Sequence, residues 1–316
     1  MFDSPEQALA ELSRVGYFTD RKTATTVYLA GKINKPIMLE GPAGAGKTEL
    51  AQSVARASGA ELLRLQCYQG INEEKAIGQY DKSLQELFVL LKTKGDTVHD
   101  WDQIRREVTS RAFFLAGPLL TAIEQEKRCV LLIDEIDKVD YAFEALLLEL
   151  LSAWTLSIPK MGTVAATTIP FVFMTSNQER RLGDPLRRRS FYLVVEHPTA
   201  EREAAIVKNK TPNASPSTHR FIAGLAKALR AYNLEKPPSI SEMNDVAQAM
   251  ELLSLEEVRE IDKDIMLPLI VKTEGDRKRM LMKQSFEVII STARRHANEM
   301  ETQEAAETLQ ELSAKA

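Results

Sequence analysis

The sequence predicts an α/β fold, in which a parallel sheet carries a phosphate-binding loop, followed by an all-helical region. Two observations predict the sheet. The glycine-rich segment Gly41–Thr48 lies between a short apolar run and a helical pattern, and a second apolar run, Cys129–Ile133, ends in two acidic residues. A third observation, the helical spacing of apolar residues late in the chain, predicts a bundle. We therefore expect two domains, residues 1–200 and 201–316.

The composition is that of an ordinary globular protein, with 44% hydrophobic and 27% charged residues in a chain of 316. The formal net charge of −4 disfavours non-specific DNA binding, which relies on a basic surface. The two cysteines, Cys67 and Cys129, have no paired spacing, which suits a reducing compartment. Because there is no signal-peptide pattern and no apolar run of membrane-spanning length, we expect a cytoplasmic protein without a membrane segment.

The glycine-rich segment predicts a nucleotide site. Gly41–Thr48 fits the spacing G-x-x-x-x-G-K-S/T, in which backbone N–H groups surround the phosphates. In such loops the lysine, here Lys47, reaches the β- and γ-phosphates, and the hydroxyl of Thr48 binds Mg²⁺. The apolar strand Ile37–Leu39 before it and the helical pattern after it put the triphosphate at a helix N-terminus. The residues expected to bind the nucleotide are Gly41, Pro42, Ala43, Gly44, Ala45, Gly46, Lys47, Thr48 and Glu49.

Acidic and amide side chains follow two further predicted strands. Asp134 and Glu135 come at the carboxyl end of a buried strand, where ligands bind in open α/β sheets. We expect Asp134 to hold Mg²⁺, directly or through water, and Glu135 to polarise the attacking water. Asn177 ends the strand that begins at Ile169, within reach of the γ-phosphate or that water. A simple turn asparagine is the alternative for Asn177.

Three consecutive arginines, Arg187–Arg189, come just before the last predicted strand of the sheet, Phe191–Val195. A run of arginines is ordinarily a solvated surface. Beside a nucleotide site it can also supply a guanidinium to the transferred phosphoryl group across a subunit boundary. The residues alone leave open which of the three arginines has that role.

The segments between the strands predict two additions to a minimal sheet. Residues 72–125 look helical, with a break at Lys94–Asp96, and this segment is longer than a crossover between two strands needs. Residues 155–168 alternate and turn near Met161, which predicts a hairpin. The predicted apolar helix faces are Leu84, Leu87, Phe88 and Leu91 in the first segment, and Phe221, Leu225, Ala228 and Leu229, then Met250, Leu252 and Leu253, after residue 200.

The order of these features resembles that of the motifs in an AAA+ ATPase. The phosphate loop resembles Walker A and the acidic pair resembles Walker B. Asn177 resembles sensor 1, and the arginines resemble the arginine finger. More closely, the chain resembles the MoxR family, within the branch of the carbon monoxide dehydrogenase maturation ATPase. The resemblance covers about residues 1–210. The segments that carry it are Leu39–Leu50, Arg64–Gly70, Leu131–Lys138, Pro159–Thr163 and Thr175–Arg189.

The resemblance implies an AAA+ P-loop NTPase core, with a five-stranded parallel sheet in an αβα sandwich, and a helical lid. It implies a helical insert at about residues 72–110 and a hairpin before sensor 1. It also implies a homo-oligomeric ring, usually of six subunits, that hydrolyses ATP with Mg²⁺. Arg188 is the residue whose separation along the sequence from the strand end at Glu196–Pro198 matches that of the family's arginine finger. Arg187 and Arg189 remain alternatives for this role. The implied partners are a protein with a von Willebrand A domain and a metalloenzyme client.

One segment departs from the family pattern. The family's sensor-2 arginine usually opens a lid helix, whereas the matching segment Lys236–Met243 has Ser241 and Glu242. The resemblance therefore does not imply a guanidinium contact from the lid to the γ-phosphate.

We expect a ring-forming ATPase that remodels or activates a protein client awaiting cofactor insertion. A nucleic-acid motor or loader on the same core would need a basic pore, which the net charge disfavours. A small-molecule kinase would be a monomer and would leave the arginines and the hairpin unexplained. A non-hydrolysing nucleotide switch is disfavoured by the intact acidic pair, Lys47 and Asn177.

Overall fold

The computed structural model of the chain describes residues 1–93, 100–232, 234–282 and 285–315. Contacts divide the chain into two compact units, and each has a hydrophobic core of its own. The first unit consists of Met1–Val15, Asp20–Gly41 and Lys47–Val195. The second unit consists of Gly16–Thr19, Pro42–Gly46 and Glu196–Ala316.

All the strands of the described residues belong to the first unit. In chain order they are β1 (Ile37–Glu40), β2 (Leu62–Gln66), β3 (Gly78–Tyr80), β4 (Phe114–Ala116), β5 (Val130–Asp134), β6 (Thr155–Ile158), β7 (Gly162–Ala165), β8 (Phe171–Ser176) and β9 (Phe191–Val194).

The α-helices are spread over both units. In the first unit they are α1 (Pro5–Arg14), α2 (Arg21–Lys32), α3 (Lys47–Ser58), α4 (Glu73–Ala76), α5 (Lys82–Thr93), α6 (Trp101–Val108), α7 (Pro118–Glu124), α8 (Tyr141–Ala153) and α9 (Asp184–Arg189). In the second unit they are α10 (Ala200–Lys210), α11 (Pro216–Ala231), α12 (Ile240–Leu252), α13 (Lys263–Ile270), α14 (Glu274–Leu281) and α15 (Ser285–Lys315).

A five-stranded parallel sheet forms the centre of the first unit, in the order β2-β5-β8-β1-β9. Every residue of β5 and β8 is buried, as expected for central strands covered on both faces. The register pairs Gln66 with Asp134 and Glu40 with Ser176. The carboxyl ends of these strands therefore share one edge of the sheet. The predicted five-stranded parallel sheet with helices is confirmed.

Residues 72–125 contain two strands besides the helices, which corrects the prediction that this segment is helical apart from a break at Lys94–Asp96. The three-residue strands β3 and β4 pair antiparallel and interrupt the helices α4 to α7. Strands this short contain too few residues to show a period of two, so the pattern did not reveal them. Residues 94–99, which fall within the predicted insert of residues 72–110, lie outside the described residues.

The predicted apolar face of α5 is largely exposed, although the helix itself forms. Leu84, Leu87 and Leu91 are exposed, the last at 62%. Only Phe88 is half-buried, and its ring packs edge-on against Phe113 with centroids 5.1 Å apart. Helical spacing shows that apolar residues share a face, but it does not show that a partner covers that face.

The predicted hairpin is present. Strands β6 and β7 pair antiparallel through a turn at residues 159–161, where Lys160 has a positive φ of 69°. The paired residues end at Ala165, three residues before the predicted end at residue 168.

The second unit, apart from its short segments 16–19 and 42–46, is helical. The predicted face of α11, which includes Phe221 and Leu225, is buried as expected. The predicted face of α12 is only partly correct, because Met250 is buried whereas Leu252 is 85% exposed and Leu253 is also exposed. The helix ends at Leu252, so both leucines leave the buried stripe at its last turn. Among the helices of the described ranges, none has the length and apolar character required to cross a membrane.

Candidate nucleotide site

The loop between β1 and α3 has the backbone that the phosphate-loop spacing predicts. Gly44 and Gly46 have positive φ values of 74° and 92°, which suit glycine. The N–H of Gly41 donates to the carbonyl oxygen of Ser176 at 3.3 Å. A Cβ atom at Gly41 would lie 2.0 Å from the carbonyl oxygen of Val195, so only glycine fits at that position.

Lys47 begins α3 and is buried, with 6% of the residue exposed. Its Nζ donates to the carbonyl oxygen of Gly41 at 2.8 Å. Burial lowers the pKa of the Lys47 ammonium, and the carboxylates of Asp137, Asp134 and Glu135 oppose that effect. A desolvated cation held among acids is suited to binding an anionic phosphate.

Asp134 meets the phosphate loop directly, although Thr48 lies 86 residues before it in the chain. Its Oδ1 accepts hydrogen bonds from the hydroxyls of Thr48, at 2.9 Å, and Thr175, at 2.5 Å. Its Oδ2 accepts from Nη2 of Arg64 at 2.5 Å. The carboxylate is 2% exposed, so its negative charge is stabilised by these three donors instead of by water.

The donor set at Asp134 and Thr48 fits Mg²⁺. Mg²⁺ is held in phosphate-loop sites by one or two protein oxygens together with substrate phosphates and water. Within the part of the chain that the structure describes, no cluster of three or more histidine, cysteine or acidic side chains could hold a metal by itself. A Mg²⁺ ion here would therefore depend on the nucleotide for its remaining ligands.

Glu135 follows Asp134 in the left-handed conformation, with φ 58° and ψ 48°. Its N–H donates to Oγ1 of Thr175 at 2.8 Å. Its Oε2 accepts from Nε2 of Gln66 at 3.1 Å and is 2.9 Å from Nζ of Lys138. The predicted water-activating carboxylate is thus held by two neighbours in this conformation.

Sequence reasoning missed the role of β2 at this site. Arg64 and Gln66 are two residues apart, so they lie on the same side of the strand. Arg64 contacts Asp134 and Gln66 contacts Glu135, while the two β2 side chains also contact each other. The available signal was a pair of polar residues at alternate positions near the carboxyl end of a sheet strand.

Asn177 follows β8 at the same edge of the sheet. Its side chain has no hydrogen-bond partner among the described residues, so its amide is available to a ligand. Its backbone N–H donates to Oδ2 of Asp137 at 2.9 Å. Asp137, which the sequence reasoning did not single out, therefore contacts the predicted sensor-1 segment.

The three arginines of α9 differ in their surroundings. Nη1 of Arg187 is 2.9 Å from Oε1 of the buried Glu40, and its guanidinium lies 4.9 Å from the ring centroid of Tyr192. Arg189 donates to the carbonyl oxygen of Pro185 at 3.3 Å. Arg188 is exposed and makes no hydrogen bond or ion pair with any residue in the described ranges. Arg187 is thus engaged within its own unit, whereas Arg188 is available.

The segment that departs from the sensor-2 pattern forms a helix cap in the second unit. Oε2 of Glu242 accepts from the N–H of Ser239 at 2.7 Å and from its hydroxyl at 2.8 Å, while Ser241 is exposed. The nearby Arg230 donates to the carbonyl oxygen of Pro238 but forms a buried ion pair with Glu203. Glu242 and Arg230 are therefore both engaged in contacts within this unit.

Comparison with known proteins agrees with the phosphate-loop geometry. Residues 36–191 match the family described as AAA domain (dynein-related subfamily). An uncharacterized protein of Staphylococcus haemolyticus is 24% identical over 263 residues, and one of Staphylococcus epidermidis is 22% identical over 264 residues. Each match covers 81% of this chain and 91% of the relative.

Two solved structures are similar in outline. The RuvB Holliday junction branch migration motor of Thermotoga maritima has 17% identity and a TM-score of 0.44, covering 86% of this chain and 76% of the motor. A point variant of that motor has 16% identity and a TM-score of 0.43, covering 89% and 76%. Similarity at this level carries no information about function.

The match to the family runs from the residue before β1 to the first residue of β9, and this segment contains the phosphate loop, the acidic pair and Asn177. Residues 36–191, which match the AAA domain of the dynein-related subfamily, therefore have the α/β fold of an AAA domain, with a phosphate loop and a five-stranded parallel sheet.

Proposed function

We propose that this protein is a ring-forming ATPase of the MoxR type, which hydrolyses ATP and uses the energy to remodel a protein client. The observation that carries the proposal is the 2.9 Å contact between Thr48 and Asp134, next to the buried Lys47. This contact joins a phosphate loop to an acidic strand end, which is the arrangement that nucleotide hydrolysis requires. The AAA-domain match over residues 36–191 supports the same reaction class.

In this proposal the segment Gly41–Glu49 binds ATP. Its backbone N–H groups surround the phosphates, and the ammonium of Lys47 contacts the β- and γ-phosphates. Thr48 and Asp134 would hold Mg²⁺, directly or through water, and direct binding at Oδ2 would require Asp134 to give up its hydrogen bond to Arg64. When bound, the ion supplies charge neutralisation at the phosphate oxygens.

Hydrolysis requires a water molecule directed at the γ-phosphate. Glu135 polarises this water after its carboxylate leaves Gln66 and Lys138, and the amide of Asn177 orients the water or the γ-phosphate. The backbone of Glu135 is held in the left-handed conformation, and its N–H donates a hydrogen bond to Thr175. These two features fix the position from which the side chain of Glu135 extends. These side chains lie at one edge of the sheet, so a single bound nucleotide is able to contact them all.

A neighbouring subunit completes the site. Arg188 extends from α9 to the nucleotide of the next subunit and stabilises charge on the transferred phosphoryl group. The exposure of Arg188 supports this choice, because Arg187 is engaged by Glu40 and Tyr192. We propose a ring of six subunits, with residues 1–200 as the nucleotide-binding domain and 201–316 as the lid and tail.

The client and partner follow from the family resemblance alone. The resemblance to the carbon monoxide dehydrogenase maturation branch implies a metalloenzyme client and a partner with a von Willebrand A domain. We place the protein in the cytoplasm, because Cys67 and Cys129 are both buried and unpaired, which suits a reducing compartment.

The test is the ATPase rate per subunit, measured against protein concentration for the wild type, Arg188→Ala and Arg181→Ala. The rate should rise with concentration, and Arg188→Ala should lower kcat by about 1,000-fold or more, because a finger arginine stabilises the transition state. Arg181 is the matched control, since it is exposed and precedes α9. A rate that is independent of concentration and of Arg188 would contradict the ring and favour a small-molecule kinase.

A further inference from the structure

Asp137 is a buried carboxylate that the proposed reaction does not use. It lies in the short 3-10 helix Ile136–Lys138 after the acidic pair, and it is 3% exposed. Its Oδ1 is buried and has no hydrogen-bond partner among the described residues. Burying a carboxylate in this way is costly, so its remaining contacts must be strong or the position must serve another purpose.

Oδ2 of Asp137 makes two hydrogen bonds, both to the segment that follows β8. It accepts from the backbone N–H of Asn177 at 2.9 Å and from that of Glu179 at 3.0 Å. Gln178, between them, has a positive φ of 65°, which is strained for a residue with a side chain. The N–H of Gln178 also donates to Oγ of Ser176 at 3.0 Å. One carboxylate oxygen therefore holds both sides of a strained turn.

We propose that Asp137 is a positioning residue, which fixes the turn at residues 176–179 and so directs the side-chain amide of Asn177 toward the reacting phosphate. This inference rests on the proposed ATPase function and deepens it. The Asn177 side chain itself has no hydrogen-bond partner in the described ranges, so its direction depends on its backbone. These hydrogen bonds also connect the segment after β5, which carries Glu135, to the segment after β8, which carries Asn177. They therefore fix the position of Asn177 relative to Glu135.

A double-mutant cycle tests the proposal, with Asp137→Ala, Asn177→Ala and the combined variant. Asp137→Ala should lower kcat by about 100-fold, since a displacement of about 1 Å of a catalytic group has an effect of that size. The affinity for a fluorescent ATP analogue should change by less than about threefold, because no residue of Gly41–Thr48 is replaced and loss of the Asp137 charge near Lys47 does not weaken the attraction of that ammonium for phosphate. In the Asn177→Ala background, removing Asp137 should cause little further loss, since both changes remove the same contribution.

Two further variants separate positioning from general stabilisation. Asp137→Asn keeps a carbonyl oxygen with two lone pairs, so it should retain kcat within about threefold of the wild type. Asp140→Ala is the matched control, because Asp140 is a nearby carboxylate that caps α8 through the N–H of Phe143. It should lower the Tm and leave kcat unchanged. If Asp137→Ala does not fold, Asp137→Ser replaces it in the cycle. The serine side chain is too short for its hydroxyl to reach the N–H groups of both Asn177 and Glu179.

Additive losses in the cycle would overturn the inference, because Asp137 would then act independently of Asn177. If Asp137→Asn lowers kcat as much as Asp137→Ala does, the inference is also overturned. The activity would then depend on the negative charge of Asp137 and not on its two hydrogen bonds. A wild-type chain that binds ATP without hydrolysing it would instead overturn the proposed function, and that result is visible before any variant is made.

Discussion

At the scale of the residue, the carboxylate of Asp134 divides its oxygens between two kinds of partner. Oδ1 accepts from two hydroxyls, and Oδ2 accepts from the guanidinium of Arg64. A cation such as Mg²⁺ that binds Oδ2 must replace the guanidinium. Arg64 thus occupies, in this conformation, an oxygen through which Asp134 could bind the metal directly.

Removing Arg64 should make metal binding tighter. A hydrogen bond to a charged group contributes about 1.5–3 kcal/mol, so Arg64→Met should raise the affinity for Mn²⁺, in the presence of an ATP analogue, by roughly tenfold or more. The concentration of free Mn²⁺, followed by electron paramagnetic resonance, measures this without turnover.

The matched control for Arg64→Met is Arg14→Met, which removes an exposed arginine paired with Glu11 and should leave Mn²⁺ affinity unchanged. Weaker Mn²⁺ binding in Arg64→Met would mean that Arg64 supports the metal site instead of competing for it.

At the scale of the element, sequence patterns were reliable where a segment carries its own signal. The strands β5 and β8 were predictable because their apolar runs are long enough for burial on both faces. The helix α1 was predictable because Ser4 caps it and Pro5 occupies its first position. The strands β3 and β4 were not, because each has three residues and is held by its partner.

The cap of α12 gives a prediction at this scale. Ser239 and Glu242 form a reciprocal capping box, in which each side chain satisfies a backbone N–H of the other. Ser239→Ala should therefore lower the free energy of unfolding by about 1 kcal/mol. Urea denaturation followed by circular dichroism measures the change.

Ser241→Ala is the matched control for the cap, because Ser241 is exposed on the first turn of the same helix. It should change the free energy of unfolding by less than about 0.5 kcal/mol. Equal losses in both variants would show that the capping box does not stabilise α12.

At the scale of the whole molecule, the candidate site draws on four separate parts of the first unit. Thr48 comes from the start of α3, Arg64 from β2, Asp134 from β5 and Asn177 from the end of β8. The parallel register places these strand ends at one edge. The candidate site therefore depends on the order of the strands in the sheet, because no single segment contains all the side chains that the reaction requires.

Separating nucleotide binding from turnover tests the assembled site. Glu135→Gln should retain ATP, since the phosphate loop is unchanged, but lose about 100-fold or more in kcat because the carboxylate no longer polarises water. Nucleotide that stays bound through gel filtration, together with the steady-state rate, measures both effects.

The control for Glu135→Gln is Lys47→Ala, which should abolish ATP retention because it removes the buried ammonium. Turnover at the wild-type rate in Glu135→Gln would exclude Glu135 from water activation.

The local features of this protein could be predicted from its amino-acid sequence. The spacing of glycines, lysine and threonine specifies the phosphate loop, the apolar runs specify the central strands, and acidic residues at a strand end indicate a metal-dependent site. These features are encoded within a few neighbouring residues, so periodicity and turn chemistry suffice to predict them.

The contacts between distant side chains became known from the folded structure. It paired Arg64 with Asp134 and Asp137 with the backbone of Asn177, and it engaged Arg187 while leaving Arg188 exposed. It also left most of the apolar face of α5 exposed. The physical reason is that these contacts depend on strand order, register and packing between segments far apart in the chain, which no local pattern contains.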